Sequence, residues 1–317
     1  MYAITGATGN IGSKSAEILL ERGKDVRVIG RDAGKLQMLV KKGAVAAVGD
    51  LKDTAFLTGA LSGVDGLFAM IPPNYTVSDF RAYQNEVGSS IASAIKSAGV
   101  KYVVNLSSQG AEIAAGTGPI AGLRDQEVRL NGLAGVNVLH LRCTYFMENL
   151  LMNIPLINEK GFAGSAVRRD QKIAMIATRD IAARVADHLI MRDFKGKVVK
   201  DLLGQRDLSL EEATGVFGRK IGLPDLKYVQ FTYEEAAKGM AAMGISPDVS
   251  RLFIEMSRAL NIGLFAVNRQ RTKENTTPTS IEEFADVRSH GMIRHTAERH
   301  RAVVAAAPRG QRDVENL

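Results

Sequence analysis

The octapeptide Thr5-Gly6-Ala7-Thr8-Gly9-Asn10-Ile11-Gly12 decides how the rest of this chain reads. It follows directly on a short apolar run, Tyr2-Ala3-Ile4, and opens a segment of helical period. In that setting each glycine has a separate use. Gly6 permits the tight turn, Gly9 lets a pyrophosphate approach the backbone, and Gly12 lets the helix pack on the strand. A helix starting here presents free N–H groups and a partial positive charge to bound phosphates. Gly6, Thr8, Gly9, Asn10, Ile11 and Gly12 are therefore the expected phosphate cradle of a dinucleotide. A lone glycine triplet carries little weight, but a strand before it, a helix after it and βα periodicity beyond give it context.

That periodicity continues through the first half of the chain. Apolar runs at 2–5, 26–29, 44–48, 67–71, 102–106 and 136–141 read as strands, and segments near 11–22, 80–98 and 123–130 read as helices. Most of the strands are near-continuously apolar, as expected for parallel strands covered on both faces. The reading predicts an α/β Rossmann-type, doubly wound parallel sheet with a smaller, mostly helical lobe. Residues 1–143 supply the nucleotide-binding body. A helical run from Arg179 to Met191 and a strand at 197–203 return to it within 176–206. Residues 144–175 and 207–285 form the smaller lobe. From 286 to 317 apolar periodicity fades into Arg, His, Ala and Gly, and a poorly ordered tail is expected.

At 45% hydrophobic and 24% charged, the 317 residues have the composition of a soluble globular protein. No apolar run approaches the roughly 20 residues that cross a bilayer, so a membrane span is not expected. With the first strand starting at Met1, no room is left for a secretion signal. One cysteine, Cys143, fits a reducing cytoplasm and reads as a small buried residue. The net charge of +7 invites a nucleic-acid partner, but the cations are interleaved with acids, as in Glu21-Arg22-Gly23-Lys24-Asp25. A solvated surface and a phosphorylated cofactor account for the charge, and nucleic acid is not expected. His140 reads as a satisfied core histidine. His290, His295 and His300 do not share one helical face, so no metal site is indicated.

The cofactor's identity turns on the end of the second strand. An NAD-specific site places Asp or Glu there to hold the ribose hydroxyls. Here the position falls at Gly30 or Arg31. Arg31 offers a permanently charged planar fork suited to a 2′-phosphate, with Lys35 a second cation nearby. Asp32 would point away if Arg31 faces the ribose. NADP(H) is the expected cofactor.

The two-residue gaps between the glycines resemble those of extended and atypical short-chain dehydrogenases. Two further stretches resemble the NmrA-like group of that superfamily: Arg142-Cys143-Thr144-Tyr145-Phe146-Met147-Glu148-Asn149, and Ala177-Thr178-Arg179-Asp180-Ile181-Ala182. The resemblance spans about residues 1–285 and is nearest to bacterial-type NADPH-dependent quinone oxidoreductases. It implies contacts at further strand ends: Asp50 and Leu51 toward the adenine, and Met70, Ile71 and Pro72 toward the ribose and pyrophosphate. Ser107, Thr144, Tyr145 and Phe146 would lie near the nicotinamide.

Most short-chain dehydrogenases carry a Tyr-x-x-x-Lys pair in which the lysine lowers the tyrosine pKa for proton transfer. That pair falls here on Ala121 and Asp125, neither of which can serve, and Lys101 and Tyr102 are misplaced for it. Two expectations follow. One is an NADPH-dependent oxidoreductase passing hydride to a quinone or similar electrophile, with Tyr145 orienting the acceptor. The other is a non-catalytic NADP(H)-binding redox sensor acting through a protein partner. The partners expected are a small-molecule acceptor and a second copy of the chain in a homodimer.

Overall fold

In a computed structural model, the structure describes residues 1–265 and 270–292, with side chains to Asp286. Elements alternate through the first half: β1 (Tyr2–Ile4), α1 (Asn10–Glu21), β2 (Val26–Gly30), α2 (Ala33–Lys41), β3 (Val45–Val48), α3 (Thr54–Ala60), β4 (Gly66–Ala69), α4 (Phe80–Ala98), β5 (Tyr102–Ser108), α5 (Ile120–Asn131) and β6 (Asn137–Cys143). There follow β7 (Tyr145–Phe146), a 3₁₀ segment over Met147–Asn153, α6 (Ile154–Lys160), β8 (Phe162–Ser165), β9 (Ile173–Ile176), α7 (Thr178–Met191) and β10 (Lys197–Leu202). The chain continues through β11 (Asp207–Leu208), α8 (Leu210–Lys220), β12 (Lys227–Gln230), α9 (Tyr233–Ala242), α10 (Pro247–Asn261) and α11 (Ile281–Met292).

Seven strands make one sheet in the order β10-β6-β5-β4-β1-β2-β3, and every pairing in it is parallel. This is the doubly wound α/β arrangement expected. The chain runs outward from β1 to β3 and then restarts at β4 on the other side of β1. That reversal opens a crevice at the carboxyl ends of β1 and β4, where ligands of such sheets bind. One face of the sheet is covered by α1, α2 and α7, through Ile11, Leu19, Leu36, Ile181 and Leu189. The other is covered by α3, α4 and α5, through Leu57, Ile91, Ile95 and Leu130. Gly99, at φ +71°, gives α4 a left-handed C-cap.

The sequence reading marks no helix over α2 or α3. Both are short, and α2 carries Gly34, so apolar period alone is weak. Their start signals are nonetheless present: the side chains of Asp32 and Asp53 accept hydrogen bonds from the N–H groups of Lys35 and Phe56.

Beyond β6 the chain builds smaller sheets, β7-β9-β11 and β8-β12. Around them lies a separate apolar cluster that includes Met147, Met175, Phe217, Tyr228, Ile281 and Phe284. Val249 and Leu252 of α10 instead join the core beneath α4, so α10 straps the second half of the chain to the sheet. The boundary expected at 285/286 cuts through α11, which continues to Met292 because Ile281, Phe284 and Ala285 bury its first turns. The remaining tail residues, 293–317, lie outside the described residues, as do His295 and His300.

Candidate active site

The glycine loop occupies the switch point between β1 and β4. Thr5 joins the two strands: its hydroxyl donates to the Phe68 carbonyl at 3.1 Å and accepts from the Met70 N–H at 2.9 Å. Gly6 has φ +62°, and a Cβ there would lie 2.2 Å from Met70 Sδ. A Cβ on Gly12 would lie 2.3 Å from the Gly6 carbonyl oxygen. Loop and helix can approach this closely only as glycines. Thr8, Gly9 and Asn10 are exposed, whereas Ile11 and Gly12 are buried. The helix N-cap, Gly9, offers no side-chain hydrogen bond, and the first turn holds no acid. The leading N–H groups thus face outward without a side-chain cap, which is the arrangement an anion needs.

Arg31 follows β2 and is exposed, with no hydrogen bond or ion pair among the described residues. Asp32 is committed to capping α2. Its carboxylate accepts from the Lys35 N–H at 3.2 Å. Asp50 is exposed and accepts from the Lys52 N–H at 3.0 Å, whereas Leu51 is buried in the core. Met70, Ile71 and Pro72 lie just past β4, which ends two residues sooner than expected, and Tyr83 donates to the Pro72 carbonyl at 2.9 Å. Together the glycine loop, Arg31 and the 50–51 and 70–72 turns lie along the carboxyl edge of β1 to β4. They fit a phosphorylated dinucleotide: an uncapped helix terminus, a cradle that a Cβ would fill and an unpaired arginine.

Beyond β5 and β6 the polar groups are engaged internally. Ser107 is 2% exposed and its hydroxyl donates to Glu127 at 2.5 Å. Arg142 holds the same carboxylate with two bonds, 3.0 and 2.6 Å, and reaches Glu112 at 3.1 Å. Those bonds keep the Glu127 carboxyl ionised, below the usual carboxylate range, although burial opposes them. Ser107 thus ties β5, α5 and β6 together, and its hydroxyl is not turned outward. The Thr144 hydroxyl likewise donates to the Leu202 carbonyl at 3.3 Å. This network was missed in the sequence, although Arg142 stands in a stretch quoted above.

Tyr145 and Phe146 point to opposite sides of β7. Phe146 packs on the core under α1 and α7, and Tyr145 on the smaller cluster. Burial pushes the Tyr145 phenol well above its ordinary pKa, so it is neutral across the working pH range. On α5, Ala121 has no proton to give and Asp125 is paired with Arg81 at 2.5 Å. Tyr102 lies at the opposite end of β5, where Arg192 covers its ring at 5.4 Å. His140 is fully buried, accepting from Asn105 at 3.1 Å through Nδ1 and donating from Nε2 to Asn131 at 3.0 Å. Desolvation lowers its pKa to about 4. It is a neutral structural histidine with both nitrogens occupied.

The two stretches that suggested a family meet in space. Glu148 accepts from the Thr178 N–H at 3.1 Å and from the Thr178 hydroxyl at 2.5 Å, closing the N-terminus of α7. Asp180 accepts from the Thr279 N–H at 3.0 Å and hydroxyl at 2.6 Å. Both acids are joints between segments.

The parallel sheet with a glycine loop at its switch point defines a Rossmann-type protein. The chain belongs to the NmrA-like family, matched over residues 2–285. It is 31% identical over 258 residues to the NAD(P)H azoreductase of Xenophilus azovorans, covering 81% of this chain and 86% of that one. To quinone oxidoreductase 2 of Escherichia coli (strain K12) it is 28% identical over 287 residues, covering 88% and 95%. The solved NADPH complex of the NADPH-dependent quinone oxidoreductase QOR2 from Escherichia coli overlays it with a TM-score of 0.76 at 24% identity, over 90% of this chain and 99% of that one. The NADP(H) complex of the Citrobacter sp. triphenylmethane reductase gives 0.73 at 18%, over 91% and 100%. At these identities the solved structures speak for the fold.

Proposed function

We propose that the protein is an NADPH-dependent reductase that passes hydride to a quinone or a similarly electrophilic small molecule. The observation that carries the reading is the uncapped glycine-loop helix beside an unpaired Arg31, with the neighbouring acid withdrawn into a helix cap. The azoreductase and quinone oxidoreductase relatives support the same chemistry.

Gly6, Thr8, Gly9, Asn10, Ile11 and Gly12 would hold the pyrophosphate, and Arg31 the 2′-phosphate. Asp50 and Leu51 would border the adenine, and Met70, Ile71 and Pro72 the ribose. Ser107, Thr144, Tyr145 and Phe146 would shape the nicotinamide end, chiefly through backbone and packing. When bound, NADPH supplies the hydride. The protein's part is to place donor and acceptor and to exclude water. A quinone suits a site without a strong acid, because its reduced form is a stabilised hydroquinone anion that takes its proton from solvent.

In this reading residues 1–143 and 176–206 form the cofactor body, and 144–175 with 207–285 the acceptor lobe. A reducing cytoplasm is supported by the lone thiol of Cys143, 1% exposed. A homodimer is supported by exposed Val45 and Val48 on the edge strand β3 and exposed Met38 on α2. No helix among the described residues is long and apolar enough to cross a membrane. The decisive experiment follows NADPH oxidation at 340 nm with a panel of quinones, beside a nucleotide titration without acceptor. Turnover supports the reductase. Tight NADPH binding without turnover overturns it and leaves the sensor.

A further inference from the structure

The two edges of the seven-stranded sheet are finished differently. β10 carries Lys197, Lys200 and Asp201. Past its end the Leu203 N–H donates to the Asn275 carbonyl at 2.8 Å, and Gly204 bridges to Thr276. Charges and a covering segment are the usual protection of an edge strand. β3 has neither. It reads Val45-Ala46-Ala47-Val48, pairs among the described residues with β2 alone, and leaves Val45 51% and Val48 48% exposed. The Gly49 N–H donates to the Gly30 carbonyl at 3.1 Å, and Gly30 stands opposite Val48. Backbone groups alternate in direction along a strand, so Val45, Ala47 and Gly49 turn theirs toward β2. Ala46 and Val48 turn theirs outward, where they meet no partner among the described residues.

We propose that β3 pairs antiparallel with β3 of a second copy about a twofold axis, joining the two sheets into one. The inference deepens the homodimer reading and rests on it for the second copy. Symmetry selects the occupant. β3 against its own copy closes at two chains, whereas β3 against β10 is a head-to-tail contact that runs on into a ring or a filament. The β10 edge is also charged and partly covered. The free backbone groups select the register. An axis through Ala46 sets Val48 opposite Ala44, whose N–H already donates to the Leu39 carbonyl at 3.0 Å. An axis through Ala47 sets Ala46 of each copy opposite Val48 of the other, so every outward N–H of these residues meets an outward carbonyl. The side chains fit the same register, because each Val48 meets an alanine and each Val45 meets Gly49. Charge agrees as well. Asp50 of each copy falls toward the Lys41 end of β3 in the other, and Lys41 has no acidic partner among the described residues. Lys42 and Lys52 approach at the same ends, each already paired within its own chain, with Glu17 at 2.6 Å and Glu86 at 2.7 Å.

The test is sedimentation velocity of the full chain over a concentration series. It compares the unaltered protein with Val48→Lys and with Val199→Lys, the latter at a valine of similar exposure, 46%, on β10. Val48→Lys should weaken self-association at least about tenfold, because it brings like charges together across the axis. Val199→Lys should leave it within about twofold. Cysteine cross-linking reads the register without relying on charge, since the one cysteine of the chain, Cys143, is buried. Ala47→Cys should oxidise to a covalent dimer, its Cα lying about 4.5 Å from its mate across the axis. Val45→Cys, about 13 Å from its mate, should not link. A dimer that survives Val48→Lys, with Ala47→Cys unlinked, would overturn pairing through β3 and leave the homodimer standing. Equal weakening by Val48→Lys and Val199→Lys would show a general charge effect and overturn the assignment. Linking of Val45→Cys in place of Ala47→Cys would overturn the register. A chain monomeric at every concentration would overturn both the pairing and the homodimer.

Discussion

Arg31 and Tyr145 show how differently single residues can be read. Arg31 is read from its place at the end of β2, where this fold meets the cofactor's ribose and an NAD site carries an acid. Replacing it with Ala is expected to weaken NADPH binding by about 1.5–3 kcal/mol, the range for a charged hydrogen bond. NADH affinity should not change. Fluorescence titration of both nucleotides checks this, and equal losses would remove Arg31 from the 2′-phosphate. Tyr145 was legible as a position but not as an environment. Its ring packs on the lobe core, and burial raises its pKa. A phenol so placed stays protonated through neutral pH and is a poor acid. Tyr145→Phe should therefore lower quinone turnover by less than about tenfold, with no basic limb between pH 6 and 9 introduced or removed. A loss of about 10²–10⁴-fold, the range for a general acid, would restore the phenol as proton donor. Ser107 is a further case: its place at the end of β5 is visible in the sequence, whereas its hydroxyl's commitment to Glu127, twenty residues away, is not.

At the scale of elements, hydrophobic period located the long helices and the parallel strands, and missed α2 and α3, which are held by caps and packing. It also showed the 142–149 and 177–182 stretches as familiar without showing why they occur together. The reason is one joint: α7 lacks a cap on its own N-cap residue, Ala177, and Glu148 supplies it from the 3₁₀ segment. Glu148→Ala should lower stability by about 1–2 kcal/mol, as for the loss of a helix cap. Glu148→Gln should recover part of this, because an amide oxygen still accepts. Urea unfolding measures both. A null result for Glu148→Ala would show that the start of α7 is held by packing with α1 alone.

For the molecule as a whole, His140 sets part of the pH range of stability. In the folded state burial lowers its pKa from 6.5 to about 4. The unfolded chain thus takes up a proton near pH 6.5, while the folded chain resists until about pH 4. Stability from neutral His140 is complete above pH 6.5 and is lost as the pH falls toward 4. His188 acts in the same direction, because its desolvation outweighs the hydrogen bond to Asp193. A fall of about 2 kcal/mol in unfolding free energy from pH 7.5 to pH 5 is expected. His140→Gln should flatten that fall, and an equally steep fall in the variant would place its origin elsewhere.

What the sequence determined by itself was carried by neighbours along the chain: the glycine loop between strand and helix, the parallel strands, a glycine and an arginine where an NAD site has an acid, and Ala121 and Asp125 in place of the Tyr/Lys pair. Local period and local spacing encode these, because a strand, a helix start or a phosphate cradle is built within a dozen residues. Tertiary structure alone decided which polar groups are already satisfied and which sheet edge stays open. Gln109 meets Phe265 across 156 positions and Asp180 meets Thr279 across 99. No periodicity reports contacts at such separations, since they depend on how whole layers pack against one another.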